Sequence, residues 1–169
     1  MQKTLSFICC IVSFVLMWGC VASSNFYIGK TVDSADIIPL QGGLHKGVSW
    51  ETFDVVLLFD YELKDGTLYC AGKGRLGDHY QAMYTHLRYF EVYLFQVGEN
   101  GRVLHTVRLP TLSMSSPDDD FNFDKVLKIF PETIGLSFGY SGAAYERERS
   151  EPIFIQFFNE TSFHNLPHK

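Results

Sequence analysis

The chain has 169 residues, of which 46% are apolar and 20% are charged. This length suits one domain, and this composition excludes both a disordered chain and a polytopic membrane protein. The net charge is −5, and the basic residues Arg147 and Arg149 alternate with glutamates instead of forming a cluster, so we expect no nucleic-acid partner.

The amino-terminal segment has the organisation of a signal peptide. Lys3 precedes an apolar stretch from Leu5 to Trp18, and small residues begin at Gly19. The stretch has the length of a signal-peptide core and is too short to span a bilayer comfortably. We therefore predict that residues 1–19 are a signal peptide and that the chain is exported. Their removal takes away one basic residue and leaves 13 basic and 19 acidic residues.

The end of this signal peptide carries a lipidation motif. Met17-Trp18-Gly19-Cys20 resembles the lipobox of bacterial lipoproteins, in which the cysteine is acylated and becomes the new amino terminus. The resemblance implies that Cys20 carries a lipid anchor in the cell envelope, in the outer membrane facing the periplasm. Ordinary cleavage after Ala22 or Ser23 is the alternative.

The next segment, residues 20–48, shows no sustained period, and Pro39 and Gly42-Gly43 interrupt any regular element. We predict a tether or irregular lead-in there, a β domain at 49–160, and a polar tail at 161–169.

Alternating apolar residues predict the first strand of that domain, from Phe53 to Leu63. Lys64-Asp65-Gly66 then suits a tight hairpin, because Asp-Gly tolerates positive φ angles. The second strand is expected from Leu68 to Gly72, followed by a polar connection at 78–85.

Five further apolar runs follow, and Gly98 to Gly101 between two of them predicts a second hairpin. The 15 Phe and 9 Tyr favour β structure, where flat rings pack across strands. The expected runs are Arg88 to Val97, Val103 to Leu109, Phe121 to Ile129, Ile134 to Tyr140, and Ile153 to Phe158.

Seven runs bounded by turn residues predict an all-β antiparallel sandwich. This architecture resembles that of immunoglobulin and fibronectin III modules, with a transthyretin-like sandwich or a small barrel as the competing topology. Tyr140 is a candidate analogue of their tyrosine corner. The paired aromatic strands and the ending Phe138-Gly139-Tyr140-Ser141-Gly142 also resemble small, poorly characterised lipoproteins of Gram-negative bacteria, a likeness that implies no activity.

No residue pattern predicts a metal or cofactor. His79, His86 and His105 are spread over a loop and a distant strand, whereas a zinc site needs three or four convergent ligands. The consecutive carboxylates Asp118 to Asp120 lack the alternate spacing of a calcium loop.

Catalytic motifs are missing as well. The chain has no Gly-x-Ser-x-Gly elbow, and Cys70 occupies an alternating strand position, where cysteine serves as a small apolar filler. We therefore predict that the protein is not an enzyme.

Our first functional hypothesis is a non-catalytic envelope lipoprotein, an accessory, adaptor or assembly module whose partners are the membrane and another envelope protein. The alternative is a module that binds a glycan or a protein through exposed rings of Tyr80, Tyr84 and Tyr89.

Overall fold

The computed structural model describes residues 24–109, 112–113, 116–146, 154–158 and 163–164. The predicted signal peptide and Cys20 lie outside these residues. Within them, no helix is both long and apolar enough to cross a membrane.

The fold is almost entirely β, as predicted. The strands, in chain order, are β1 (Thr31–Val32), β2 (Ile38–Pro39), β3 (Gly43–Glu51), β4 (Val55–Lys64), β5 (Thr67–Leu76), β6 (Tyr84–Val97), β7 (Val103–Arg108), β8 (Leu112–Ser113), β9 (Phe121–Lys128), β10 (Gly135–Glu146), β11 (Phe154–Phe158) and β12 (Phe163–His164). One short helix, α1 (Asp78–Met83), joins β5 to β6.

Most strands belong to two antiparallel sheets. The first sheet has the order β3-β4-β5-β9, and the second has the order β11-β10-β6-β7, with β2 pairing with β10 and β8 pairing with β6. The strands β1 and β12 form a separate pair. β1 lies in the predicted lead-in, and β12 lies in the predicted polar tail.

Both predicted hairpins are confirmed. Asp65 and Gly66 have φ angles of 49° and 71° and connect β4 to β5. Asn100 and Gly101, with φ angles of 58° and 74°, lie in the turn from β6 to β7. Gly101 is required there for a second reason, because a Cβ atom would lie 2.4 Å from the Val32 carbonyl oxygen.

The main core lies between the two sheets. The Phe59 ring of β4 meets the Phe138 ring of β10 with 5.2 Å between centroids, and Phe90 of β6 meets Phe121 of β9 at 5.6 Å. These contacts, together with one continuous apolar cluster that draws residues from both sheets, make the fold sandwich-like.

A second apolar cluster covers the other face of β6. Tyr27 packs against Tyr93 and Phe95, with ring centroids 5.1 and 5.0 Å apart, and Val32 is buried beside them. The folded domain therefore begins well before residue 49. Tyr27 and Val32, which lie in the segment 20–48 predicted as a tether or irregular lead-in, supply core side chains.

The free edge strand β3 contains a bulge. Its register with β4 shifts between His45 and Val48, and Gly47 has a φ angle of 63°. The Gly47 N–H donates a hydrogen bond to Asp60 Oδ1 at 2.7 Å, which fixes the bulge to the neighbouring strand.

Several elements differ from their predicted form, among them β3, a strand of nine residues in a segment where no regular element was expected. The connection at 78–85 contains α1, which is too short to show a helical period in the sequence. Strand β10 continues to Glu146, well past Tyr140. The small residues in its second half hide the alternation by which a strand is recognised.

Candidate functional site

The candidate site lies where the turn between β3 and β4 meets α1 and β10. Thr52 shapes that turn, because its Oγ1 accepts hydrogen bonds from the N–H groups of Asp54 and Val55 at 3.2 and 3.0 Å. The Gly77 N–H donates to the Asp54 carbonyl oxygen at 2.7 Å and joins the turn to the start of α1. Local hydrogen bonds thus fix the backbone on both sides of the site.

The Asp54 carboxylate is the centre of the site. Its Oδ1 lies 3.3 Å from His79 Nε2, and its Oδ2 accepts a hydrogen bond from the Tyr140 hydroxyl. Tyr80 also hydrogen-bonds to this carboxylate. One side chain therefore connects the β3–β4 turn, α1 and β10.

The two tyrosines are held in their neutral, hydrogen-donating form. Burial is the main cause that raises the pKa of Tyr80, and the negative charge of Asp54 raises it further. Burial also raises the pKa of Tyr140, followed by its hydrogen bond to Asp54. A phenol that donates to a carboxylate loses this bond on ionisation, so the arrangement favours the protonated phenols.

An exposed aromatic ring covers this centre. The Phe53 ring stacks on His79 with 4.1 Å between centroids and an interplanar angle of 24°. Phe53 is 81% exposed, whereas His79 also contacts the buried Tyr80 ring at 4.2 Å. The site therefore presents the Phe53 side chain to solvent, and the His79 imidazole packs against one face of the Phe53 ring.

The sequence pattern assigned Phe53 to a strand, and this prediction is wrong. Its alternation with Val55 predicted an inward-facing strand position, but β4 begins at Val55 and Phe53 belongs to the turn. Asp54 was not singled out either, since a lone carboxylate next to a strand carries no recognisable motif. Only its contacts with His79 and Tyr140, distant in sequence, reveal its role.

The three tyrosines predicted as an exposed surface are separated. Tyr80 and Tyr84 are buried and stack on each other, with centroids 5.2 Å apart. Tyr89 is half-buried on the opposite face of β6 from Phe90, and it interacts electrostatically with Tyr27. The prediction of one exposed tyrosine patch is therefore wrong, because Tyr80, on α1, packs into the core against Tyr84, and strand alternation turns Tyr89 to the other face of β6.

His79, His86 and His105 do not converge on a metal site. His79 is paired with Asp54, His105 packs against Phe130, and His86 is exposed on β6. Among the described residues, no group of three or more His, Cys, Asp or Glu side chains could hold a metal ion. Asp118 and Asp119 instead form a local turn with Ser116.

Cys70 lies in the core, as its strand position predicted. It is free and buried, and burial, assisted by Asp124, raises the pKa of its thiol to about 12. The thiol is therefore protonated and unreactive at neutral pH.

The comparisons with known proteins assign no family to the chain. No family model matches the chain, and no solved structure matches it. Acid-sensing ion channel 2 of human, rat and mouse is 33% identical over 97 residues, which is 57% of this chain and 19% of each channel. The chain thus matches about a fifth of the length of these relatives.

Proposed function

We propose that the protein is an exported, non-catalytic lipoprotein of the cell envelope, anchored through Cys20, whose β domain is an adaptor for another envelope protein. The observation that carries the adaptor function is the exposed Phe53 ring on its fixed His79 support. A large ring that is already immobilised loses little entropy on binding, and buried aromatic anchors dominate the energy of protein interfaces.

The strand neighbours support an immunoglobulin-like or fibronectin III-like module. In such modules strand B lies beside E, and F lies between C and G. Here β5 lies beside β9, and β10 lies between β6 and β11. By this correspondence β4 is the first strand of the module, and β3 is an additional strand at its edge.

We do not extend this resemblance to a tyrosine corner at Tyr140. The Tyr140 hydroxyl donates to Asp54, 86 residues away, whereas a tyrosine corner bonds to backbone a few residues upstream.

The bonding of Asp54 supports a non-catalytic role. A general base needs an oxygen that can reach a substrate proton. The Asp54 oxygens are already engaged by His79, Tyr80 and Tyr140. The group therefore serves as an internal acceptor that orders the turn carrying Phe53.

Fatty-acid labelling tests the anchor. Cells that express the full chain are grown with a radiolabelled fatty acid, and the protein is followed through membrane fractionation. The wild-type chain and the Cys70→Ala variant should both be labelled, whereas Cys20→Ala should be unlabelled and leave the membrane fraction. Equal behaviour of wild type and Cys20→Ala would remove the anchor from the proposal.

Site-specific photocrosslinking tests the adaptor function. A photoreactive phenylalanine analogue at position 53 should give a discrete protein adduct in intact cells. The matched control is position 126, since Val126 is also exposed but lies on the outer face of the first sheet. The adaptor proposal fails if position 53 gives no protein adduct, or the same pattern as position 126.

A glycan is the second candidate ligand, favoured by the open face of the Phe53 ring, since sugars stack on aromatic rings. Binding of the purified chain to a glycan array, abolished by Phe53→Ser, would identify this function, and an array without hits would exclude it for the glycans tested.

A further inference from the structure

The segment at the start of the described chain holds a patch of exposed apolar and partly exposed basic side chains close to the predicted lipid. We define the amino-terminal patch as Phe26, Ile28, Lys30 and Arg102. Phe26 is 63% exposed and Ile28 is 44% exposed. The Lys30 Nζ lies 3.4 Å from the centroid of the Phe26 ring, and Arg102 is exposed next to Gly29.

The patch is rigidly attached to the domain. The Gly29 N–H donates to the Val103 carbonyl oxygen at 2.9 Å, and the Val103 N–H donates to the Lys30 carbonyl oxygen at 2.8 Å. Between Phe26 and Ile28, Tyr27 is buried against Tyr93 and Phe95. The patch therefore cannot swing away from the sheet as a flexible tether would.

The distance to Cys20 is short. Cys20 and Ser24 are four residues apart, and an extended chain spans about 3.5 Å per residue, so at most about 14 Å separates them. A domain of this size has a radius of gyration of about 15 Å. A lipid on Cys20 would thus hold the domain closer to the bilayer than its own radius, with the region around Ser24 nearest to the membrane.

We infer that the amino-terminal patch is a membrane-contacting surface that rests on the phospholipid headgroups, an inference that depends on the proposed anchor at Cys20. Phe26 and Ile28 supply apolar side chains of the kind that enter the boundary between headgroups and acyl chains. Lys30 and Arg102 supply cations that attract lipid phosphates. The patch orients the domain as well as holding it near the bilayer.

The inferred orientation places the candidate site away from the membrane. Tyr27 covers Tyr93 on the outer face of β6. Tyr140, which donates to Asp54, pairs with the neighbouring Val92 and lies in the core on the opposite face. The second sheet therefore lies between the amino-terminal patch and the candidate site.

Fluorescence quenching tests this orientation. The full chain is expressed with its lipid, purified in detergent, and reconstituted into vesicles of phosphatidylethanolamine and phosphatidylglycerol that contain brominated acyl chains. The test variant is Phe26→Trp, and the matched control is Tyr69→Trp, on the exposed outer face of the first sheet. The buried Trp50 gives the same background in both.

In lipid-labelled protein, Trp at position 26 should lose about half of its emission or more, because the boundary region lies within the range of the bromines. Trp at position 69 should lose little. Labelled protein in which both positions are quenched equally, or neither is, overturns the membrane-contacting surface and leaves the anchor intact. Protein that carries no fatty acid overturns both the anchor and this inference.

Discussion

The side-chain amide of Gln96 on β6 donates a hydrogen bond to the Lys128 carbonyl oxygen at the end of β9, with 2.9 Å between Nε2 and O. Gln96 Oε1 accepts from the Phe130 N–H at 3.0 Å and from Thr133 Oγ1 at 3.2 Å. A single fully buried side chain of the second sheet thus fixes the connection by which the chain leaves the first sheet and returns to the second.

We expect Gln96→Leu to lower the free energy of unfolding by about 1–3 kcal/mol, because it removes these part-buried bonds and leaves the Lys128 carbonyl and the Phe130 N–H without this partner. Denaturant unfolding of the two proteins measures the change. Gln41→Leu is the matched control, since Gln41 is exposed and surface substitutions usually change stability by less than about 0.5 kcal/mol. Equal effects of the two substitutions would show that the bonds of Gln96 contribute nothing.

Gly139 lies directly beneath the Phe95 ring. A Cβ atom at this position would lie 2.5 Å from Phe95 Cζ, so we expect Gly139→Ala to destabilise the fold by about 1–3 kcal/mol through overpacking. Gly42→Ala serves as the control, because nothing lies within 4 Å of its Cβ position. In a double-mutant cycle, Phe95→Leu should reduce the cost of Gly139→Ala. Additive effects would place the strain elsewhere.

Alkaline pH should weaken the fold through the tyrosines around Asp54. Folding raises the pKa of Tyr80 and Tyr140 above the ordinary value of 10.0. Their contribution to stability is therefore complete below pH 10 and is lost as the pH rises towards the folded pKa. The urea midpoint should therefore stay constant up to about pH 10, the ordinary tyrosine pKa, and fall as the pH rises above it.

The matched variants for this alkaline effect are Tyr140→Phe and Tyr69→Phe. Tyr140→Phe should show a smaller alkaline loss than wild type, whereas Tyr69→Phe, at an exposed position, should behave like wild type. A loss that is the same in all three proteins would assign the alkaline effect to other groups.

The fold should be insensitive to reductant. Cys70 is free and buried, so soluble protein that starts near Asn25, without the signal peptide and Cys20, has no second thiol with which to form an internal bridge. We expect the same thermal midpoint with and without reductant, whereas an internal disulfide would contribute about 2–4 kcal/mol. A covalent dimer on a non-reducing gel would contradict the burial of Cys70.

Local patterns in the sequence predicted the elements that are determined locally. Strand β4 follows its alternation, and the Asp65-Gly66 turn follows from its tolerance of positive φ. The partners of Gln96 and Asp54 could not be predicted in this way, because they lie between 25 and 86 residues away and only the packing of the two sheets brings them together.

The errors in the candidate site have the same origin. Tyr80 and Tyr84 lie in a polar stretch that indicates exposure, but Tyr80 projects from α1 into the core and stacks on Tyr84, so both rings are buried. Residues 20–48 predict a tether or an irregular lead-in because they show no sustained period, and nothing in that pattern indicates that Tyr27 and Val32 are core residues. Their burial depends on Tyr93 and Phe95, far along the chain.

The bulge in β3 affects whether two copies of this protein can pair through their edge strands. An exposed edge strand offers a row of unpaired N–H and C=O groups on which a strand of another molecule could add, and bulges are a common protection against this. The β3 bulge shifts the register between His45 and Val48, and the Gly47 N–H is bonded to Asp60. The row of unpaired backbone groups along β3 is therefore interrupted near its middle. Molecules crowded on one surface would therefore find no continuous template along β3 for growing an intermolecular sheet.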